Sequence, residues 1–118
     1  MNGLTTHILD LMNGLPAAHV RVDLFYQSMS GERLLIGTST TNRDGRLDEA
    51  FLKNGVLQIG VYEYVFYIGD YFRGNASHLP EPAFLEEVVV RFGVADLNRH
   101  YHVPLLVSPW GYQVYRGS

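Results

Sequence analysis

No cysteine occurs anywhere in the 118 residues, which removes disulfide staples, thiolate nucleophiles and cysteine-based zinc sites together. Long apolar runs are missing as well. Nothing approaches the about 18 consecutive apolar residues from which a membrane-crossing helix is recognised, so no membrane partner is expected. The first residues lack the basic stretch and apolar core of an export signal, and the expected location is the cytoplasm. Charge of one sign is scarce: 9 basic residues stand against 12 acidic ones for a net charge of −3. The cations are scattered rather than gathered into a patch, which argues against a nucleic-acid partner. Internal repeats, linkers and low-complexity segments are also absent.

What is present fits one compact unit, residues 1–118. A hydrophobic content of 47% with 18% charged residues excludes disorder, and a chain of this length buries roughly two-thirds of its unfolded surface in a single core. Short β-type runs bounded by turn residues dominate, the pattern of a β-sandwich. Thr5 to Leu11 reads as a first strand, ended by Asn13, Gly14 and Pro16. His19 to Ser28 alternates Val20, Val22, Leu24 and Tyr26 against more polar neighbours, so the even-numbered set is expected to face the core. Arg33 to Thr40 is a third strand, and Asn42 to Gly45 a polar turn whose Asp44-Gly45 pair suits a positive φ at the glycine. Leu57 to Tyr67, Glu87 to Val94, His102 to Val107 and Tyr112 to Tyr115 complete the strands. Gly69 to Asn75 is the one stretch with helical character. Tyr62, Tyr64, Phe66, Tyr71 and Phe72 read better as core and interface packing than as a ligand cleft, because alternating aromatics are what a half-buried strand requires.

Few residues carry chemistry. Side chains alternate faces along a strand, so His100 and His102 project together if the strand begins that early, with Tyr101 opposite. Two imidazoles fall short of the three or four convergent ligands of a zinc site, and no metal is expected. A histidine at a strand start is otherwise a surface or hydrogen-bonded residue. His7 shares a face with Thr5 and Leu9. Arg46 follows the polar turn, where it is either solvated or a fork that donates in pairs to a planar polar substrate. The last residues, Tyr115, Arg116, Gly117 and Ser118, put a guanidinium and hydroxyls where a chain is usually frayed and chemically indifferent.

Three segments together carry a resemblance: Leu4 to Asp10 followed by Gly14, Pro16 and Ala17; Thr41 to Arg46; and His100 to Ser118. In order and spacing they resemble the 5-hydroxyisourate hydrolases, the transthyretin-related enzymes of purine breakdown, over residues 4 to 118. The chain departs from the family pattern between Tyr67 and Glu86, at Ile68 and over Asn75 to Leu85.

The resemblance implies a transthyretin-like, all-β sandwich of two antiparallel sheets, with about eight strands and one short helix. It implies a homotetramer, a dimer of dimers, with active sites in the channel where dimers meet and Leu15, Leu106 and Trp110 among the contacts. It implies hydrolysis of 5-hydroxyisourate to 2-oxo-4-hydroxy-4-carboxy-5-ureidoimidazoline on the way from urate to allantoin, without a metal or organic cofactor. His7, Arg46, His102 and Ser118 are the implied catalytic residues, and Tyr115, Arg116, Gly117 and Ser118 the implied wall of the substrate site. His19 and His78 match no site position and are expected at the surface. A neutral imidazole can accept a proton from water near pH 7 and Arg46 can stabilise an oxyanion; which of His7 and His102 is the base stays open. A transthyretin-like carrier of a hydrophobic small molecule would use the same fold.

Overall fold

The computed structural model describes residues 3–52, 56–75 and 78–117. Along these residues run β1 (Gly3–Asp10), β2 (Leu15–Pro16), β3 (Arg21–Gln27), β4 (Arg33–Thr40), β5 (Gly60–Phe66), α1 (Ile68–Gly74), β6 (Val88–Val94), β7 (His100–Ser108) and β8 (Gly111–Val114). They form two four-stranded sheets with orders β2-β1-β7-β8 and β4-β3-β5-β6, the all-β sandwich with one short helix that was expected. The second sheet is antiparallel throughout. The first is mixed, because β1 runs parallel to β7, which refines the expectation of two antiparallel sheets. No hairpin constrains that pair: β1 and β7 lie at opposite ends of the chain, and the whole second sheet supplies the crossover that parallel neighbours need.

Alternation decides which side chains enter the space between the sheets. Leu4 and Ile8 of β1, Val22 and Leu24 of β3, Tyr64 and Phe66 of β5, and Leu105 and Val107 of β7 are all buried there. Burying side chains of this size contributes about 1.5–3 kcal/mol each. Val20, Val22 and Leu24 do face the core, and Tyr26 packs against it. Tyr62, Tyr64, Phe66, Tyr71 and Phe72 belong to the same core cluster, as packing predicts. The Tyr64 hydroxyl is sealed in it without a hydrogen-bond partner among the described residues, and burial pushes its ionisation far beyond any physiological range.

Helix α1 follows β5 and buries Ile68, Tyr71 and Phe72, the i, i+3, i+4 set of a helix lying on a core. Tyr71 donates its hydroxyl to Asp10 Oδ2 at 2.7 Å. The same carboxylate accepts the backbone N–H groups of Met12 and Asn13, so it closes the turn after β1 and ties the helix to it. Asp10 is buried because all of its work is internal. The strand β2, a two-residue pairing of Leu15 and Pro16 with Asp10 and Leu9, has no propensity signal of its own; it is the edge left when this turn folds back. β7 begins two residues before the expected His102, since the full length of β1 pairs with it from Gly3↔His100 onward.

Candidate active site

The outer face of the β2-β1-β7-β8 sheet is where the candidate residues lie. Thr5 and His7 alternate outward from β1 between buried Leu4, Thr6 and Ile8, and His100 and His102 do so from β7 around buried Tyr101. Parallel pairing sets Thr5 beside His102 and His7 beside Pro104. Thr5 Oγ1 lies 2.8 Å from His100 Nε2 and 2.8 Å from His102 Nδ1. The two imidazoles therefore share a face, as alternation requires, and also share one hydroxyl.

Arg46 reaches this face through a tightly specified turn. Asn42 Oδ1 accepts the backbone N–H of Asp44 at 2.8 Å and of Arg46 at 3.1 Å, while Asn42 N–H donates to the Arg46 carbonyl at 2.7 Å. Ile8 N–H donates to the Gly45 carbonyl at 2.8 Å, which pins the turn onto β1. Gly45 has φ +75°, and a Cβ there would run into the Ile8 carbonyl oxygen, so glycine is required both by conformation and by the close approach. The turn ends with Arg46 exposed, beside a cavity of about 120 Å³ lined by Thr5, Thr6 and Leu47. Its guanidinium has no hydrogen bond or ion pair among the described residues.

The turn also orients His7. His7 Nε2 lies 2.8 Å from the Asp44 carbonyl oxygen; that oxygen only accepts, so Nε2 carries the hydrogen and Nδ1 is bare. Burial, then the charge of Arg46, hold the His7 imidazolium below its ordinary pKa. The same two causes in the same order act on His102, followed by His7 and His100. His7 and His102 feel the charge of Arg46 and are neutral near pH 7, beside a cation with no counterion among the described residues. Such a set can take a proton from water and hold a developing negative charge.

Gly117 returns along β7, donates its N–H to the His102 carbonyl at 2.8 Å and bridges to that residue. A Cβ on Gly117 would lie 2.7 Å from His102 Cδ2, so the tail packs flat against the ring. Tyr115 and Arg116 do not line a cavity with His7 or His102 among the described residues. Tyr115 borders a groove of about 380 Å³ between β6 and β8, and Arg116 stacks its guanidinium 4.3 Å over the Tyr101 ring. Arg116 and Gly117 also border a cavity of about 640 Å³ together with His100 and Arg99. Ser118 lies outside the described residues. His19 and His78 are exposed, as expected.

Sequence reasoning placed His7, Arg46 and His102 but passed over Thr5 and Asn42. Thr5 was visible only as a face-mate of His7; its proximity to two histidines near the other end of the chain is a tertiary fact. No group of three or more His, Asp or Glu among the described residues is arranged to hold a metal. No helix among them is long and apolar enough to cross a membrane.

Comparison with known proteins shows the family. Residues 4–117 match the model of the HIUase/Transthyretin family. The chain is 52% identical to 5-hydroxyisourate hydrolase 2 of Rhizobium meliloti over 98% of this chain and 95% of that protein. The crystal structure of (S)-allantoin synthase superposes with a TM-score of 0.92 and 42% identity, covering 98% of this chain but 43% of that longer one. Sea bream transthyretin in complex with thyroxine superposes with a TM-score of 0.86 at 28% identity, over 97% of this chain and 93% of that one. With the family model spanning nearly every described residue, the chain belongs to the HIUase/Transthyretin family.

Proposed function

We propose that the protein is a hydrolase of 5-hydroxyisourate, opening its six-membered ring at an acyl carbon in the degradation of urate to allantoin. The observation that carries this is the Arg46 guanidinium, without a hydrogen bond or ion pair among the described residues, beside two imidazoles whose pKa values are depressed by burial and by that guanidinium. A cyclic amide needs one activated water, one stabilised oxyanion and one proton for the leaving nitrogen, and this set supplies all three. The 52% identical relative bears the name of the same activity. His7, Arg46 and His102 are the proposed catalytic residues, and His7, Arg46, His102, Tyr115, Arg116, Gly117 and Ser118 the proposed substrate-binding set, with Ser118 also catalytic on the family resemblance. No cofactor enters the scheme.

The active form is proposed to be a homotetramer in the cytoplasm. Strands β6 and β8 are the edges of their sheets, with an apolar groove between them. Leu15 and Trp110 are 52% and 62% exposed, and so are accessible to a neighbouring subunit. Tyr115 and Arg116 would then meet substrate through a neighbouring subunit or through ordering of the tail.

The decisive measurement follows ultraviolet absorbance after uricase generates 5-hydroxyisourate in situ. The protein should accelerate its decay, and a decay equal to the uncatalysed one would leave a carrier of the kind the transthyretin neighbour exemplifies. Light scattering should give four chains per particle; an active monomer would refute the assembly.

A further inference from the structure

Thr5 Oγ1 is within 2.8 Å of a ring nitrogen on both His100 and His102, and a hydroxyl has a single hydrogen to give. Both nitrogens cannot be bare, since only one could then be served, and both cannot carry a hydrogen, since the Thr5 O–H would then have no acceptor among the described residues. His100 decides the direction. Its Nδ1 is buried without a partner among the described residues, packed near Gly3. A hydrogen on Nδ1 would be a buried donor with nothing to receive it, a loss of about 1–3 kcal/mol, whereas a hydrogen on Nε2 is used by Thr5. Buried donors are left unpaired more rarely than buried acceptors. The chain of hydrogen bonds therefore runs from His100 Nε2–H to Thr5 Oγ1, and from Thr5 O–H to His102 Nδ1. His102 then carries its own hydrogen on Nε2.

We propose that Thr5 and His100 are positioning residues that hold His102 in its Nε2–H form, making His102 a hydrogen-bond donor to the reacting carbonyl and leaving His7 as the base. His7 is complementary because the Asp44 carbonyl takes its Nε2–H and leaves Nδ1 bare. This assignment rests on the hydrolase reading above. In the resulting step His7 Nδ1 takes a proton from water as the water oxygen bonds to the acyl carbon. The oxyanion is held by Arg46 and by His102 Nε2–H, as neutral donors and cations hold such charges elsewhere. Collapse of the intermediate breaks the carbon–nitrogen bond, and His7 returns its proton to the departing nitrogen. The sum is addition of one water. Thr5 and His100 act through the His102 ring and carry no step themselves.

The test begins with the full-length wild-type protein labelled with ¹⁵N-histidine. Above pH 7, His102 should show a bare Nδ1 and a hydrogen-bearing Nε2, and Thr5→Val, which removes the hydroxyl without changing shape, should turn this into a mixture. Thr5→Ser should restore the wild-type pattern. In turnover, Thr5→Val and His100→Asn should each lower kcat about 10- to 100-fold, the usual worth of a residue that orients a functional imidazole, with KM within about twofold. The double variant should be no slower than the slower single one, because both cut the same chain. A wild-type His102 with its hydrogen on Nδ1 overturns the proposal, as does a Thr5→Val protein with unchanged tautomer and kcat. A protein with the Thr5-dependent tautomer but no hydrolysis of 5-hydroxyisourate would refute the functional reading and uphold the chain of hydrogen bonds.

Discussion

The outer faces of the two sheets use polar residues in opposite ways. On the β4-β3-β5-β6 sheet, Glu63 sits between Arg33, with which it forms a short ion pair, and Arg91 at 3.1 Å. Asp23 likewise accepts from Arg21 and from the Tyr67 hydroxyl. Burial raises the Glu63 carboxyl, but the two arginines outweigh it and hold the group below its ordinary range. Every charge there is answered. On the β2-β1-β7-β8 sheet the polar residues around the site include imidazoles and a threonine, and Arg46, whose charge acts on His7 and His102, has no counterion among the described residues. Paired charge on a sheet face stabilises and is chemically inert; unpaired charge beside neutral bases is available to a ligand.

The contrast is broken most severely at His7. His7→Asn should lower kcat by about 10² to 10⁴, the range for a positioned acid or base, without altering the assembly seen by light scattering. Unchanged turnover would remove His7 from the mechanism.

Next in size is Arg46→Gln, expected to lower kcat/KM by about 10² to 10³, as for loss of one oxyanion donor, and Arg46→Lys should not restore it because an ammonium cannot donate as a planar pair. The pH profile sharpens the point. His7 must be neutral to act, and its pKa is depressed, so activity is present above that pKa and falls as pH drops through it. Removing the guanidinium lifts one of the causes of depression, so the acid limb should move upward toward 6.5. An unmoved limb would show that Arg46 does not set the imidazole charge. Stability follows the same sign: the unfolded chain takes up the proton first, so stability contributed by these histidines is whole above 6.5 and declines below it.

Gly117→Ala comes third. The added methyl would meet the His102 ring, and a displacement near 1 Å is worth about 10² in rate; deletion of Tyr115 to Ser118 should have a loss at least as large with little change in melting temperature. Near-normal turnover in either variant would detach the tail from the site.

The smallest catalytic effect belongs to the other sheet. Glu63→Gln should lower stability by about 1.5–3 kcal/mol, the worth of hydrogen bonds to a charged group, and by the lower end of it since Arg33 and Arg91 are 49% and 63% exposed and stay hydrated. Its kcat should stay within about twofold. A large catalytic loss there would erase the distinction between the faces.

Much of this was legible in the chain. Arg33–Thr40 was read to the residue, and the inward set of β3 and the packing role of the aromatics followed from period-2 alternation, which is local. The missed β2 and the early start of β7 share one cause: both depend on a partner strand, and a partner is not written in the segment itself. The same holds for the site. His7, Arg46 and His102 came from the family resemblance and not from spacing, which left His7 and Arg46 as ordinary surface candidates.

By itself, the sequence determined the class of fold, the strand faces and the need for glycine at the Asn42–Arg46 turn, because these follow from alternation and from backbone sterics within a few residues. Only the tertiary structure decided that β1 would lie parallel to β7, and with it that one threonine hydroxyl would sit between two histidines at the far end of the chain. Hydrogen-bond direction depends on which donors and acceptors meet, and burial on what closes over them. Both are settled when distant segments pack, so the protonated nitrogen of each imidazole is a property of the fold.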